Sequence, residues 1–214
     1  NNTAMGHNSL STNILSDHNV AIGNDALATH NTATSIDAYN VAVGSGAGAA
    51  VTTGTLNTLI GGNAGDAFNT GQENTGIGYQ ALTTDTKGKF SVAVGNNALA
   101  TQNFTTATSV FNTAVGYDAG LHVTTGIANT IIGGLAGDAL TDADANVAVG
   151  KSALGADTLG SRSVAIGAFA LQAQNFTTAT NAFNVAVGCD AGLLVTTGVQ
   201  NTFVGGLAGD AATT

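Results

Sequence analysis

Proline and tryptophan are absent from this chain of 214 residues, cysteine and methionine occur once each, and Lys and Arg together number four. Each absence excludes something. Proline would break any ladder that uses every backbone N–H, so its absence suits a chain whose strands stack. The lone Cys189 closes no internal disulfide and says little about compartment. Four bases against 13 acids give a formal charge of −9. That disfavours nucleic acid, whose phosphates need Lys and Arg, and it disfavours anionic membrane surfaces. No apolar run approaches the ~20 residues of a membrane span. There is no signal peptide and no starting Met, and "NNTAMG" opens in mid-pattern, so the chain reads as a segment or a processed product.

What is present is glycine, 30 residues, and alanine, which supplies much of the 43% hydrophobic content. Burying alanine gains far less than burying leucine or phenylalanine. A mean hydropathy of +0.23 with 8% charge still argues against disorder. The composition therefore predicts a long, thin interior of small residues.

The order of residues is strongly periodic. A nine-residue phrase runs Asn/Ser, Val/Thr, usually Ala, Val/Ile/Met, Gly, two variable residues, Ala, then Leu or Gly. It starts at Asn2, Asn19, Asn40, Asn57, Asn74, Ser91, Asn112, Asn129, Asn146, Ser163, Asn184 and Asn201, with spacings of 17 or 21 residues. Four phrases make a super-repeat of 72, giving blocks of about 2–73, 74–145 and 146–214 in one domain. "NVAVG" is too short and too rich in Val and Gly for a helical repeat. Two short strands and two turns fit in 17 residues, which predicts an all-β, parallel β-solenoid of about twelve coils.

The fifth residue of the phrase is always glycine: Gly6, Gly23, Gly44, Gly61, Gly78, Gly95, Gly116, Gly133, Gly150, Gly167, Gly188 and Gly205. This predicts a corner with positive φ, or a backbone approach too close for a Cβ. The Asn column, at every start except Ser91 and Ser163, reads first as a ladder of stacked amides. An exposed polar row touching a ligand is the alternative.

Residues two and four of the phrase share one strand face, and residue three takes the other. The Val/Thr and Val/Ile/Met pair suits the inside of the coil. The third position, from Ala4 and Ala21 to Phe203, then faces out although it is apolar. A strand apolar on both faces is normally covered on both. A coil has one interior, so the second cover is expected from identical chains around an axis.

"NVAIGNDAL", "SVAVGNNAL" and "SVAIGAFAL" resemble the head repeats of trimeric autotransporter adhesins. "NTAVGYDAG" and "NTGIGYQAL" resemble repeats in fibre proteins of bacteriophages and marine bacteria. The resemblance covers the whole chain. It implies a left-handed β-roll in a homotrimer, serving as an elongated stalk or head outside the cell or on a virion, and displaying surfaces for a glycan or protein receptor. The 17-residue coil and the regular 21-residue coil depart from the adhesin unit. Neither end shows a polar cap, so end-to-end self-association or continuation into a longer fibre is expected.

The three 21-residue coils add residues around 30–37, 102–109 and 174–181. Extra length usually emerges as a loop on the binding face. Asn103, Phe104, Asn175 and Phe176 are thus weak ligand-binding candidates, with the rings stacking on sugar or tucking under the loop. Tyr39, Phe111 and Phe183 read as corner packing. Asp66, Asp138 and Asp210 sit at Gly-rich corners and are weak calcium candidates, turn chemistry being the alternative.

No cofactor and no catalytic residue are expected. The four histidines occupy unrelated repeat positions, and no triad or phosphate loop is spelled out. A structural or adhesive fibre segment is the expected role. The alternatives are a secreted filament, an ice- or mineral-binding solenoid, or a glycan depolymerase built between chains.

Overall fold

The structure is a computed structural model that describes all 214 residues. It is a parallel β-solenoid of about twelve turns without a helix, so no helix is long and apolar enough to cross a membrane. The chain divides into two compact units, Asn1–Val110 and Phe111–Thr214, a boundary that falls inside the second super-repeat rather than between blocks.

Each unit contains six coils, and each coil contributes one three-residue strand. In the first unit these are Thr3–Met5, Val20–Ile22, Val41–Val43, Thr58–Ile60, Thr75–Ile77 and Val92–Val94. In the second they are Thr113–Val115, Thr130–Ile132, Val147–Val149, Val164–Ile166, Val185–Val187 and Thr202–Val204. Within each unit every strand pairs in parallel with the next, and phrase positions align without slippage: Ala21 beside Ala42, Ala42 beside Leu59, Ile131 beside Ala148. The extra residues of the 21-residue coils add minor pairs, Ser16–Asp17 with Ile36–Asp37, Gly88–Lys89 with Thr108–Ser109, and Gly160–Ser161 with Thr180–Asn181.

The direction of the strand faces corrects the sequence expectation. The third position points inward: Ala21, Ala42, Leu59, Ala93, Ala114, Ile131, Ala148, Ala165 and Ala186 are fully buried. The flanking second and fourth positions point outward and stay half-buried or exposed. The physical reason is width. Position three shares the interior with Ala at position eight, the residue at nine and the residue at twelve. Two Val or Ile side chains per strand would overfill a space that one alanine fits.

The large interior side chains change position from coil to coil in step with the 72-residue super-repeat. Where position nine is leucine, as at Leu27, Leu82, Leu99, Leu154 and Leu171, position three is Ala or Gly, and position twelve is polar. Where position nine is glycine, as at Gly48, Gly65, Gly120 and Gly137, position twelve is Val51, Phe68, Val123 or Leu140. Leu59 and Ile131 then enlarge position three in the Phe68 and Leu140 coils. Two leucine coils alternate with two glycine coils, so no layer carries large groups at positions three, nine and twelve together.

The corner glycines satisfy both conditions set by the sequence. Gly23 and Gly61 have φ of 134° and 136°, and a Cβ on either would lie 2.6 Å from the carbonyl carbon of the next corner glycine, Gly44 or Gly78. The backbones meet there with no room for a side chain. Gly61→Ala is expected to destabilise the first unit by roughly 3 kcal/mol or more, from the φ strain plus the clash. Urea unfolding monitored by circular dichroism measures it.

Candidate interaction surface

The outward strand face of each unit is uniform from coil to coil. Its two columns carry Val, Ile or Thr at every place except Met5. No charged residue interrupts them, although the chain carries 17 Asp, Glu, Lys and Arg residues (13 + 4). β-Branched side chains suit an extended backbone and leave a flat, stiff surface. Ile132 and Ile166 remain 39% exposed, and Ile60, Ile77 and Val92 are exposed likewise.

Rings and charges flank this face at the last position of certain coils, where the backbone turns with positive φ at His18, Tyr39, Arg162 and Phe183. The His18 and Tyr39 rings stack with centroids 5.1 Å apart, and His18 Nδ1 lies 3.0 Å from Asp37 Oδ1. In the equivalent place of the third block, the Arg162 guanidinium lies 5.8 Å from the Phe183 ring. Tyr39, Phe111 and Phe183 stand about half exposed, so they line the edge of the apolar face rather than filling a corner. This is a second correction. On the opposite margin Tyr79 and Tyr117 are exposed, and the Tyr117 hydroxyl is shifted up by its hydrogen bond to Asp118.

The Asn column lies inside. Each Asn Oδ1 accepts the backbone N–H of the next coil's column residue, as in Asn57 N–H to Asn40 (3.0 Å), Asn74 to Asn57 (3.1 Å), Asn129 to Asn112 (2.9 Å), Asn146 to Asn129 (2.9 Å) and Asn201 to Asn184 (2.9 Å). Asn2 and Asn19 make the same link at 2.8 Å. In most of the column Nδ2 donates to a carbonyl near the end of its own coil, as from Asn57 to Gly71 (2.9 Å) and from Asn112 to Gly126 (2.8 Å). One side chain thus closes its coil and ties it to the next. From Asn19 to Asn184 the column is buried and offers no polar row to a ligand.

Where the column holds serine, a substitute amide comes from position twelve. Gln102 Nε2 donates to Ser91 Oγ (3.1 Å) and to the buried Asp85 (2.6 Å). Gln174 does the same with Ser163 and Asp157, while its Oε1 accepts Asn184 Nδ2 (2.8 Å). Burial pushes the Asp85 carboxyl up, against the opposing pull of Gln102 and of the Phe104 and Gly88 N–H groups. Sequence reading missed these trios. The signal was available: aligned coils read Asp then Gln at position twelve wherever Ser replaces Asn.

The extra loops do not present their phenylalanines. Phe104 and Phe176 are 7% and 6% exposed, and their N–H groups donate to Asp85 and Asp157 (3.1 Å each). Neither ring has a face free to stack on sugar, which corrects that candidacy. Asn103 and Asn175 are exposed, each accepting a threonine hydroxyl, from Thr86 (3.2 Å) and Thr158 (3.1 Å). Asp66 accepts the Thr83 hydroxyl, and Asp66, Asp138 and Asp210 are all half-buried. Burial raises the Asp138 carboxyl. No group of three or more His, Cys, Asp or Glu side chains is gathered where a metal could bind. Cys189 is exposed, its thiol donating to Asp190 at 3.4 Å.

No family model, curated protein or solved structure matches this chain. The functional reading therefore rests on its own geometry and on the resemblance of its phrases.

Proposed function

We propose that the chain is a structural, adhesive segment of an extracellular fibre, a virion tail fibre or a cell-surface adhesin, working as a homotrimer. One observation carries the reading: the uncharged Val/Ile/Thr columns on the outer strand face. Fully burying a Val or Ile side chain is worth about 1.5–3 kcal/mol relative to leaving it exposed. Large exposed apolar surfaces of this kind mark interaction sites. A face repeated coil after coil fits a partner with the same repeat, and a second and third copy of this chain supply it. The polar remainder, with its acids and its exposed Asn103 and Asn175, stays available to a receptor. The role is non-catalytic, with no cofactor.

Ile132→Lys with Ile166→Lys tests this, since both side chains already point outward. The double variant is expected to lower the mass in light scattering from three copies to one, with an unchanged circular dichroism spectrum. If the native chain already scatters as a single copy, the reading fails.

A second reading draws on outward threonines in neighbouring coils, Thr58 with Thr75 and Thr113 with Thr130. Such a surface suits ice or a mineral lattice. Thermal hysteresis from a monomeric chain would favour it over the fibre.

A further inference from the structure

His30 is fully buried, neither ring nitrogen makes a well-formed hydrogen bond, and the Thr52 carbonyl is the one acceptor that acts on the ring. It occupies position twelve of the second coil, where the later blocks carry Gln102 and Gln174. Those glutamines are held by Asp85 with Ser91 and by Asp157 with Ser163. In the first block Asn13 stands where Asp85 and Asp157 stand, and Asn19 where the serines stand. Asn13 is committed to Ser16, whose N–H and carbonyl it binds at 3.2 and 2.8 Å. The Asn19 amide is committed to Asn2, to Ser16 and to the Asp17 carbonyl. The imidazole is therefore left without a side-chain partner.

We propose that His30 makes the second coil, residues 19–39, an acid-sensitive element of the solenoid. Nothing charged waits to receive a protonated ring. The coil before it offers Asn13 at this position and the coil after it offers Val51, while Ala21 and Leu27 fill its own layer. The charged and titratable groups of these coils besides His30, namely the N-terminal ammonium, His7, Asp17, His18, Asp25 and Asp37, are all at least partly exposed on the outer surface. A buried imidazolium without a partner must reach water, and this coil gives it a route. Its extra residues Ala33, Thr34 and Ser35 are exposed, whereas Phe104 and Phe176 seal the corresponding loops onto a buried carboxylate.

The sign follows from linkage. Burial lowers the His30 pKa, with the Thr52 carbonyl pulling the other way. Its contribution is present above the ordinary histidine pKa of about 6.5 and is lost as pH falls toward the lowered value. Asp85 behaves oppositely. Its raised carboxyl costs stability at neutral pH, and the cost is relieved as pH falls through that raised value. Acid thus loosens the His30 coil while relieving the Asp85 coil.

Hydrogen–deuterium exchange on the full 214-residue chain tests this at pH 7.5 and pH 5.0, corrected for intrinsic rates. Peptides covering residues 19–43 are expected to lose protection by up to about tenfold per pH unit below about pH 6.5. Peptides covering 85–104 are expected to hold or gain it. His30→Gln and His30→Val place residue types already found in this column, and either is expected to abolish the acid loss. Unchanged protection of 19–43 in the native chain would overturn the proposal, as would an acid loss that persists in both variants. NMR titration of the native chain gives a readout independent of the variants. A His30 ring that titrates at or above about 6.5 would also overturn it.

Discussion

Asn57→Ala is expected to destabilise the first unit by about 3–5 kcal/mol, because it leaves buried polar groups without partners, each costing about 1–3 kcal/mol. Asn57 Oδ1 accepts the Asn74 N–H (3.1 Å) and the Asn74 Nδ2 (3.3 Å). Its Nδ2 donates to the Gly71 carbonyl (2.9 Å) and to Asn40 Oδ1 (3.2 Å). Alanine removes all four links. Asn74 Nδ2 keeps Gly88 and Asn40 Oδ1 keeps the Asn57 N–H, but the Asn74 N–H and the Gly71 carbonyl are stripped. The loss is a large share of the ~5–15 kcal/mol that holds a typical domain together. Asn69→Ala is the matched control. Its side chain is exposed and accepts one threonine hydroxyl, from Thr52, so a change within about 1 kcal/mol is expected. Equilibrium urea unfolding of both variants makes the comparison.

Gly65→Leu is expected to cost about 3 kcal/mol or more, at the upper end of the usual ~1–3 kcal/mol of overpacking, because the new side chain meets two large neighbours at once. A Cβ at this site would lie 2.6 Å from Phe68 Cδ2 and 2.7 Å from Leu59 Cδ2. Leucine itself is tolerated at this position, since Leu27, Leu82 and Leu99 occupy it with φ of 48–56°. Those coils have Ala21, Gly76 or Ala93 at position three and a polar residue at position twelve. The clash therefore comes from the neighbours and not from the backbone. The triple variant Leu59→Ala, Gly65→Leu, Phe68→Ala is expected to recover most of the loss, and a mutant cycle in unfolding free energy would show strong non-additivity. Additive behaviour would contradict the volume compensation among positions three, nine and twelve of this coil.

These two sites show what the sequence could and could not convey. The coil period, the corner glycines and the parallel stacking were legible because each depends on one residue type at one spacing. Gly61 must be glycine, and the chain says so at every coil. The direction of the strand faces was not legible. Alternation distinguishes inside from outside only when one face is polar, and "NVAVG" is apolar on both. Side-chain size decided instead, with Ala21 and Ala42 inside and Val20 and Ile22 outside.

The candidate surface was inverted for the same reason. The need for a cover on a second apolar face carries over, now on the Val/Ile/Thr columns instead of the alanine row. Phe104 and Phe176 illustrate a different limit. Their burial depends on Asp85 and Asp157, 19 residues earlier in each case, whose carboxylates draw in the loop N–H. No local pattern announces that contact, although the Asp–Gln alternation along position twelve hints at it.

Sedimentation equilibrium of the native chain, over a range of micromolar concentrations at neutral pH, tests most directly whether identical copies cover the outer strand face. The account predicts a single species of three times the 20.8 kDa chain mass. A species that stays at 20.8 kDa throughout, with Ile132 and Ile166 open to water, would contradict it.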